Sequence, residues 1–212
     1  YAPVPPILER VNKEILPRLE SNYPGVSVLY QGQQRDSNDA QGEMGKYFSV
    51  AFLIMMILIM LHFKSFSQSF IIVMIIPLGW LGSVWGHGIE GFPVSLLSAW
   101  GMVALSGVVI NDSVVFLAKY NSLLLEGFRV KEAVYKAGLS RFRPILLTTI
   151  TTVAGLYPLI LQKSFQAQFL IPMAISLAYG VFFGTMFILL FFPPMILVLN
   201  EMKRYYIGFR RL

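Results

Sequence analysis

The stretch SLLSAWGMVALSGVVINDSVVFLAKY, residues 95–120, decides the fold. Apart from Lys119 next to its end it holds one charged side chain, Asp112, in a run that is otherwise apolar or small on every face. A hydrocarbon core of about 30 Å is crossed by about 20 helical residues, and a helix apolar all round has no water-facing side to offer. Four runs of the same kind flank it, at 44–63, 69–89, 144–161 and 169–199. The first has only Lys46 near its start and His62 near its end, the second contains Pro77, and the fourth is rich in threonine. The fifth is longer than a bilayer requires, so its ends extend beyond the hydrocarbon. The expected fold is an all-α polytopic membrane bundle of five transmembrane helices over residues 44–200, with a basic tail at 201–212.

Composition agrees. Hydrophobic residues make up 56% of the 212 and charged residues 13%, about half the charged share usual for soluble domains. The net charge of +6 raises the question of nucleic acid, but the cations are confined to particular loops. Cysteine is absent, which excludes disulfides, thiolate metal sites and cysteine nucleophiles. Two histidines, His62 and His87, are too few for a histidine-rich metal site.

Residues 1–43 differ in character. Ile7, Leu8, Val11, Ile15 and Leu19 form one apolar stripe at helical spacing across 3–20. Asn22-Tyr23-Pro24-Gly25 signals a turn, Val26–Tyr30 alternates like a strand, and 31–42 is a polar connector. One helix and one strand leave their apolar faces wet, so this segment is expected to be the tail of an α+β domain. Tyr1 stands where an initiator methionine is usual and no signal peptide precedes it, which suggests a piece of a longer chain.

Lysine and arginine set the expected orientation. With residues 1–43 outside the cytoplasm, the cytoplasmic segments and span ends hold Lys64, Lys119, Arg129, Lys131, Lys136, Arg141, Arg143, Lys203, Arg204, Arg210 and Arg211. The opposite short loops, 90–94 and 162–168, hold only Lys163. The soluble end is therefore expected outside and the C-terminus inside, and the basic pI needs no nucleic acid. The segment 130–138 is expected as a short amphipathic surface helix with Val130, Ala133, Val134 and Ala137 toward lipid.

Asp112 is the residue most in need of a reason, since an acid at mid-span costs a few kcal/mol (about 2.5–3.5 on insertion scales) unless protonated, paired or wet. It reads either as a titratable group in a proton path or as a hydrogen-bonding acid that packs helices. Leu105, Val108, Val115 and Lys119 share its helical face, Asn111 lies one position round, and Gly101 and Ser98 extend the face as small residues. In the fourth run, Thr148, Thr152 and Gly155 share a face, and Thr149 and Thr151 neighbour it. Those hydroxyls either hold a water chain or bond to Asp112, or else bond their own helix carbonyls. Arg141 and Arg143 precede Pro144; Arg143 reads as an anchor to lipid phosphate. Pro77, Pro158, Pro172 and Pro193-Pro194 are positions where helices kink or stop, and His62, His87 and Glu90 are expected at the interface. No phosphate loop, dinucleotide glycine pattern, zincin motif or serine elbow occurs, and one intramembrane acid is too few for an aspartyl protease.

Several runs together carry a resemblance: Gly107-Val-Val-Ile-Asn-Asp-Ser-Val114, Glu126-Gly127, and Arg141-Phe-Arg-Pro-Ile-Leu-Leu-Thr-Thr149. Phe63-Lys-Ser-Phe66, Ile76-Pro-Leu-Gly79 and Gly155-Leu-Tyr-Pro158 add to it. The chain resembles, over essentially its whole length, the C-terminal membrane half of the resistance-nodulation-division efflux pumps. The resemblance implies the last five of twelve spans behind the end of a periplasmic porter subdomain, in a multi-pass protein of the bacterial inner membrane. It implies a homotrimer working with an N-terminal membrane half, a periplasmic adaptor and an outer-membrane channel, and no enzyme activity or cofactor beyond the proton gradient. Carried over by position, Arg141 and Thr148, with Thr149 beside it, match the family's proton relay. Drug-exporting members commonly have lysine where Asn111 stands and asparagine where Asp112 stands, so Asp112 is the departure and a candidate relay member itself. The expected function is proton antiport exporting hydrophobic or amphiphilic compounds. Metal-ion export on the same fold, or a non-transporting scaffold or protein-export accessory, are the alternatives.

Overall fold

The structure, a computed structural model, describes residues 10–23 and 33–209. It divides into two compact units, residues 1–45 and 46–212. In the first unit a π-helical segment Val11–Ile15 leads into α1, Leu16–Asn22, whose first turn carries Pro17 where no amide donor is needed. Ile15 and Leu19, two members of the expected stripe, are largely open. The expected strand at 26–30 lies outside the described residues.

The remaining elements are helices: α2 (Gln33–Phe63), α3 (Phe66–Met74), α4 (Ile76–Glu90), α5 (Leu96–Leu125), α6 (Val130–Ile160) and α7 (Phe165–Phe209). Five stretches are long and apolar enough to cross a membrane: Gly45–Phe63, Phe66–Glu90, Leu96–Leu125, Val130–Ile160 and Gln166–Met202. The polar connector expected over 31–42 is helical from Gln33, since nothing before Gly42 breaks a helix that the apolar run nucleates.

Local chemistry explains the interruptions. Pro77 has no amide hydrogen and its ring crowds the carbonyl four residues back, so the second span breaks at Ile75 into α3 and α4. Gly91, at φ 71°, ends α4 in the left-handed conformation that glycine takes without strain. Ser95 caps α5 in a reciprocal box with Ser98. Pro144, Pro158, Pro172, Pro193 and Pro194 all lie inside continuous helices.

Helix α7 is the hub, with α4, α5 and α6 packed along it. Glycine permits the close approach. A Cβ on Gly82 or Gly86 would stand 2.4 Å from Phe183 or Tyr179 of α7, and one on Gly101 would stand 2.6 Å from the Met173 carbonyl. Next to these glycines, Ser83 Oγ donates to the Ser176 carbonyl at 2.7 Å. Toward the basic end, Phe116 of α5 meets Phe192 of α7 edge to face at 5.3 Å, and Asn200 donates to the Tyr120 hydroxyl at 2.7 Å. Gln68 of α3 and Asn121 of α5 exchange two amide hydrogen bonds there, at 3.0 and 3.1 Å. By contrast, the α2 residues from Lys46 on touch the bundle through few side chains, such as Phe48 against Trp80 and buried Ile59.

One expectation is corrected. Residues 130–138 are no separate surface helix but the first turns of α6, and Ala133, Val134 and Ala137 are buried in the protein core rather than in lipid. Their small side chains let α6 close on α5, where Gly138 abuts the Phe116 ring. A periodicity read as lipid-facing is thus a helix–helix face, because protein and hydrocarbon accept the same side chains.

Candidate functional site

Asp112 sits in the middle of α5 with 9% of its surface exposed. Its neighbours along the buried face are Leu105, Val109, Ser113 and Phe116, so the face that packs differs by part of a turn from the one expected. Ser113 spends its hydroxyl on the Val109 carbonyl at 2.8 Å. Asn111 is exposed, as are Gly107 and Ala104 one and two turns before it. Among the described residues, no hydrogen bond or ion pair reaches the Asp112 carboxyl.

Arg141 lies about three turns into α6 and is half-buried. Its Nε is buried with no hydrogen-bond partner among the described residues. The short loop 126–129 makes α5 and α6 antiparallel, and the Gly138–Phe116 contact sets their register. Asp112 lies about 6 Å before Phe116 and Arg141 about 4.5 Å beyond Gly138, both away from the loop, so the two sit at similar depth. No ion pair within 4.0 Å joins them.

The threonines lie further along α6. Thr148 is exposed and donates to the Ile145 carbonyl at 2.8 Å. Thr149 is buried on the opposite side, against α7, bonded to the Ile145 carbonyl at 2.9 Å and to Thr185 Oγ1 at 2.6 Å. Thr151 bonds carbonyls of its own helix. Thr148, Thr149 and Thr151 thus each bond a carbonyl of their own helix. Thr148 is about 9 Å further along the bundle than Asp112, too far for contact. The five candidates therefore divide: Asp112 and Arg141 are level, Asn111 and Thr148 open outward, and Thr149 belongs to the α6–α7 seam.

Sequence reading missed a polar cluster at the other end of α4. His87, expected at the interface, is buried, with Nδ1 3.2 Å from the Phe92 carbonyl and Nε2 2.9 Å from Ser176 Oγ. A carbonyl only accepts, so Nδ1 carries a hydrogen and donates to Phe92, while Nε2 faces the Ser176 hydroxyl. Tyr179 donates to Glu90 at 2.6 Å beside it. The spacing Ser176, Gly180, Gly184 on α7 against Gly79, Ser83, His87 on α4 was visible as two small-and-polar stripes of period four.

The AcrB/AcrD/AcrF family model matches residues 9–200. The swarming motility protein SwrC of Bacillus subtilis (strain 168) is 27% identical over 180 residues, 84% of this chain and 17% of its own length. The cobalt-zinc-cadmium resistance protein CzcA of Cupriavidus metallidurans is 29% identical over 169 residues, 80% of this chain and 16% of its own. The multidrug resistance protein MdtC of Erwinia amylovora is 25% identical over 143 residues, 67% of this chain and 14% of its own. Two crystal forms of a heavy metal efflux pump share the fold, at TM-scores of 0.73 and 0.75 and 24% identity over 92% and 95% of the chain. The chain spans only 19% and 20% of those structures, so it corresponds to a fraction of the length of every relative named here. With a match running through the N-terminal segment from residue 9 and all five apolar helices, the chain belongs to the AcrB/AcrD/AcrF family of resistance-nodulation-division efflux permeases.

Proposed function

We propose that this chain is the C-terminal membrane half of a proton-driven efflux pump of the bacterial inner membrane, with residues 1–43 ending a periplasmic porter subdomain and the C-terminus in the cytoplasm. The observation that carries this reading is a pair of unmet electrostatic needs at one depth. Asp112 is a buried carboxyl without a hydrogen bond among the described residues, and Arg141 Nε is a buried donor without one. A charge at mid-membrane is stable only when it is protonated, paired or facing water. Both needs are met by ionisable groups from spans outside this chain, the aspartates of the N-terminal half. Proton binding and release at Asp112 then changes which groups Arg141 and Asn111 can hold, and that exchange moves the helices. The pump works as a homotrimer with an adaptor and an outer-membrane channel, as the family membership supports.

Cargo is either a hydrophobic or amphiphilic compound or a metal ion, since relatives named for multidrug and for cobalt-zinc-cadmium resistance both match. Among the described residues no three His, Cys, Asp or Glu side chains are grouped as a metal site needs. The test is Asp112→Asn in the full-length protein. Proton-coupled export in proteoliposomes should fall to background with expression and trimer formation unchanged. Export at the wild-type rate would refute a relay role for Asp112 and favour a structural acid; absence of any proton flux in the wild type would favour a scaffold.

A further inference from the structure

We propose that the groove between α6 and α7 binds one phospholipid from the leaflet on the basic side of the bundle, its acyl chain in the groove and its anionic headgroup on Arg143. The groove encloses about 750 Å³ and runs along α6 from Phe142 to Pro158, with Ile150 and Val153 on one wall and Phe182, Met186 and Leu190 on the other. From Phe142 to Pro158 the helix rises about 24 Å, more than the roughly 15 Å of one leaflet, so an acyl chain fits lengthwise.

Midway along the groove the polar side chains are two threonines, whose hydrogens are committed, and Tyr157 lines it beside Pro158. Thr149 donates to the Ile145 carbonyl at 2.9 Å and can then only accept from Thr185 at 2.6 Å. The threonine pair offers no donor to a polar guest and the rest of the lining apart from Tyr157 is apolar, which favours hydrocarbon. The mouth is different. Arg143 lies three and seven positions before Leu146 and Ile150, on their face of α6, and is exposed. Among the described residues it has no ion pair or hydrogen bond. A guanidinium over an apolar groove matches a lipid phosphate over its acyl chain, and that charge complementarity selects lipid over a second apolar helix.

The test uses the full-length protein in nanodiscs, with retained lipid counted by native mass spectrometry. Discs mixing phosphatidylglycerol and phosphatidylcholine in equal parts should yield protein carrying the anionic lipid preferentially, a contrast that requires no variant. Arg143→Gln should weaken that retention about fivefold, the worth of one basic side chain at an anionic surface, and Arg143→Lys should largely restore it. Ala154→Trp, which fills the groove, should expel the lipid while leaving Arg143 in place. Equal retention of both lipids, or preference unchanged in Arg143→Gln, would overturn the proposal. So would a cross-link from position 150 to another helix of the pump or to a second copy, because that helix would then occupy the groove.

Discussion

The seam where α4 and α5 meet α7 and the outward stripes of α5 and α6 are made of the same residue types, yet only the seam is finished. In the seam every small residue has a neighbour: Gly82, Gly86, Gly101, Gly180 and Gly184 all lie where a Cβ would touch the facing helix. Its polar groups are satisfied across helices, Ser83 by the Ser176 carbonyl and His87 by Ser176 Oγ and the Phe92 carbonyl. In the outward stripes, a Cβ on Gly107 or Gly155 meets nothing within 4 Å, Asn111 and Thr148 are exposed, and Arg141 Nε has no partner among the described residues. Glycine and hydroxyls in a membrane helix favour close packing only where a second helix arrives. The seam is structure; on the function proposed above, the stripes are the face that meets the rest of the pump.

The largest expected effect separates the two regions by function. Arg141→Gln in the full-length protein should bring proton-coupled export to background, while in residues 1–212 alone it should change folding stability by less than about 0.5 kcal/mol, because the Nε bonds nothing among the described residues. Export by the full-length protein in proteoliposomes and thermal unfolding of residues 1–212 in detergent check the two halves. Full export would remove the stripe from the mechanism; a large loss of stability would move Arg141 into the structural region.

Next in size is a blow to the seam. A methyl on Gly101 would stand 2.6 Å from the Met173 backbone oxygen and 2.8 Å from Ser176 Cβ, and a backbone atom cannot swing aside. Gly101→Ala should therefore force α5 and α7 apart at a cost of about 1–3 kcal/mol, read as a lower unfolding midpoint. An unchanged midpoint would mean that the two helices have slack that their contacts do not reveal.

How much of this was legible follows the same division. The five spans and the break near Pro77 were readable because each depends on local chemistry: length and a missing amide hydrogen. The faces were not. Ala133, Val134 and Ala137 look alike whether they meet lipid or Phe116, since hydrophobicity does not distinguish the two inside a bilayer. Asp112 announced itself by depth alone, but its lack of contact with Thr148 depends on helix register, which one sequence does not encode visibly. His87 was misplaced at the interface because its partners, Phe92 and Ser176, are set by a turn and by a helix 89 residues away.

A smaller effect sharpens the account of the seam's polar groups. Ser176→Ala removes the hydroxyl facing His87 Nε2 but leaves the Ser176 carbonyl that accepts from Ser83. The expected loss is about 1 kcal/mol, the scale of one interhelical hydrogen bond in a membrane protein, measured as a shift of the unfolding midpoint. A loss as large as that of Gly101→Ala would show that the imidazole, rather than glycine packing, holds α4 to α7.

The smallest effect is the most discriminating. Gly107→Ala adds the same methyl as Gly101→Ala, six residues later on the same helix, into space with no atom within 4 Å. Measured on residues 1–212 alone in detergent, it should leave stability within about 0.5 kcal/mol, with any change favouring alanine through its better helix propensity. In the full-length pump the methyl meets whatever span covers the stripe, so export should drop there although the isolated chain is unaffected. Equal damage from both substitutions in the isolated chain would erase the difference between the regions. Indifference in both the chain and the pump would mean that the α5 stripe faces lipid, leaving Asn111 without a protein neighbour and the relay to Asp112 and Arg141.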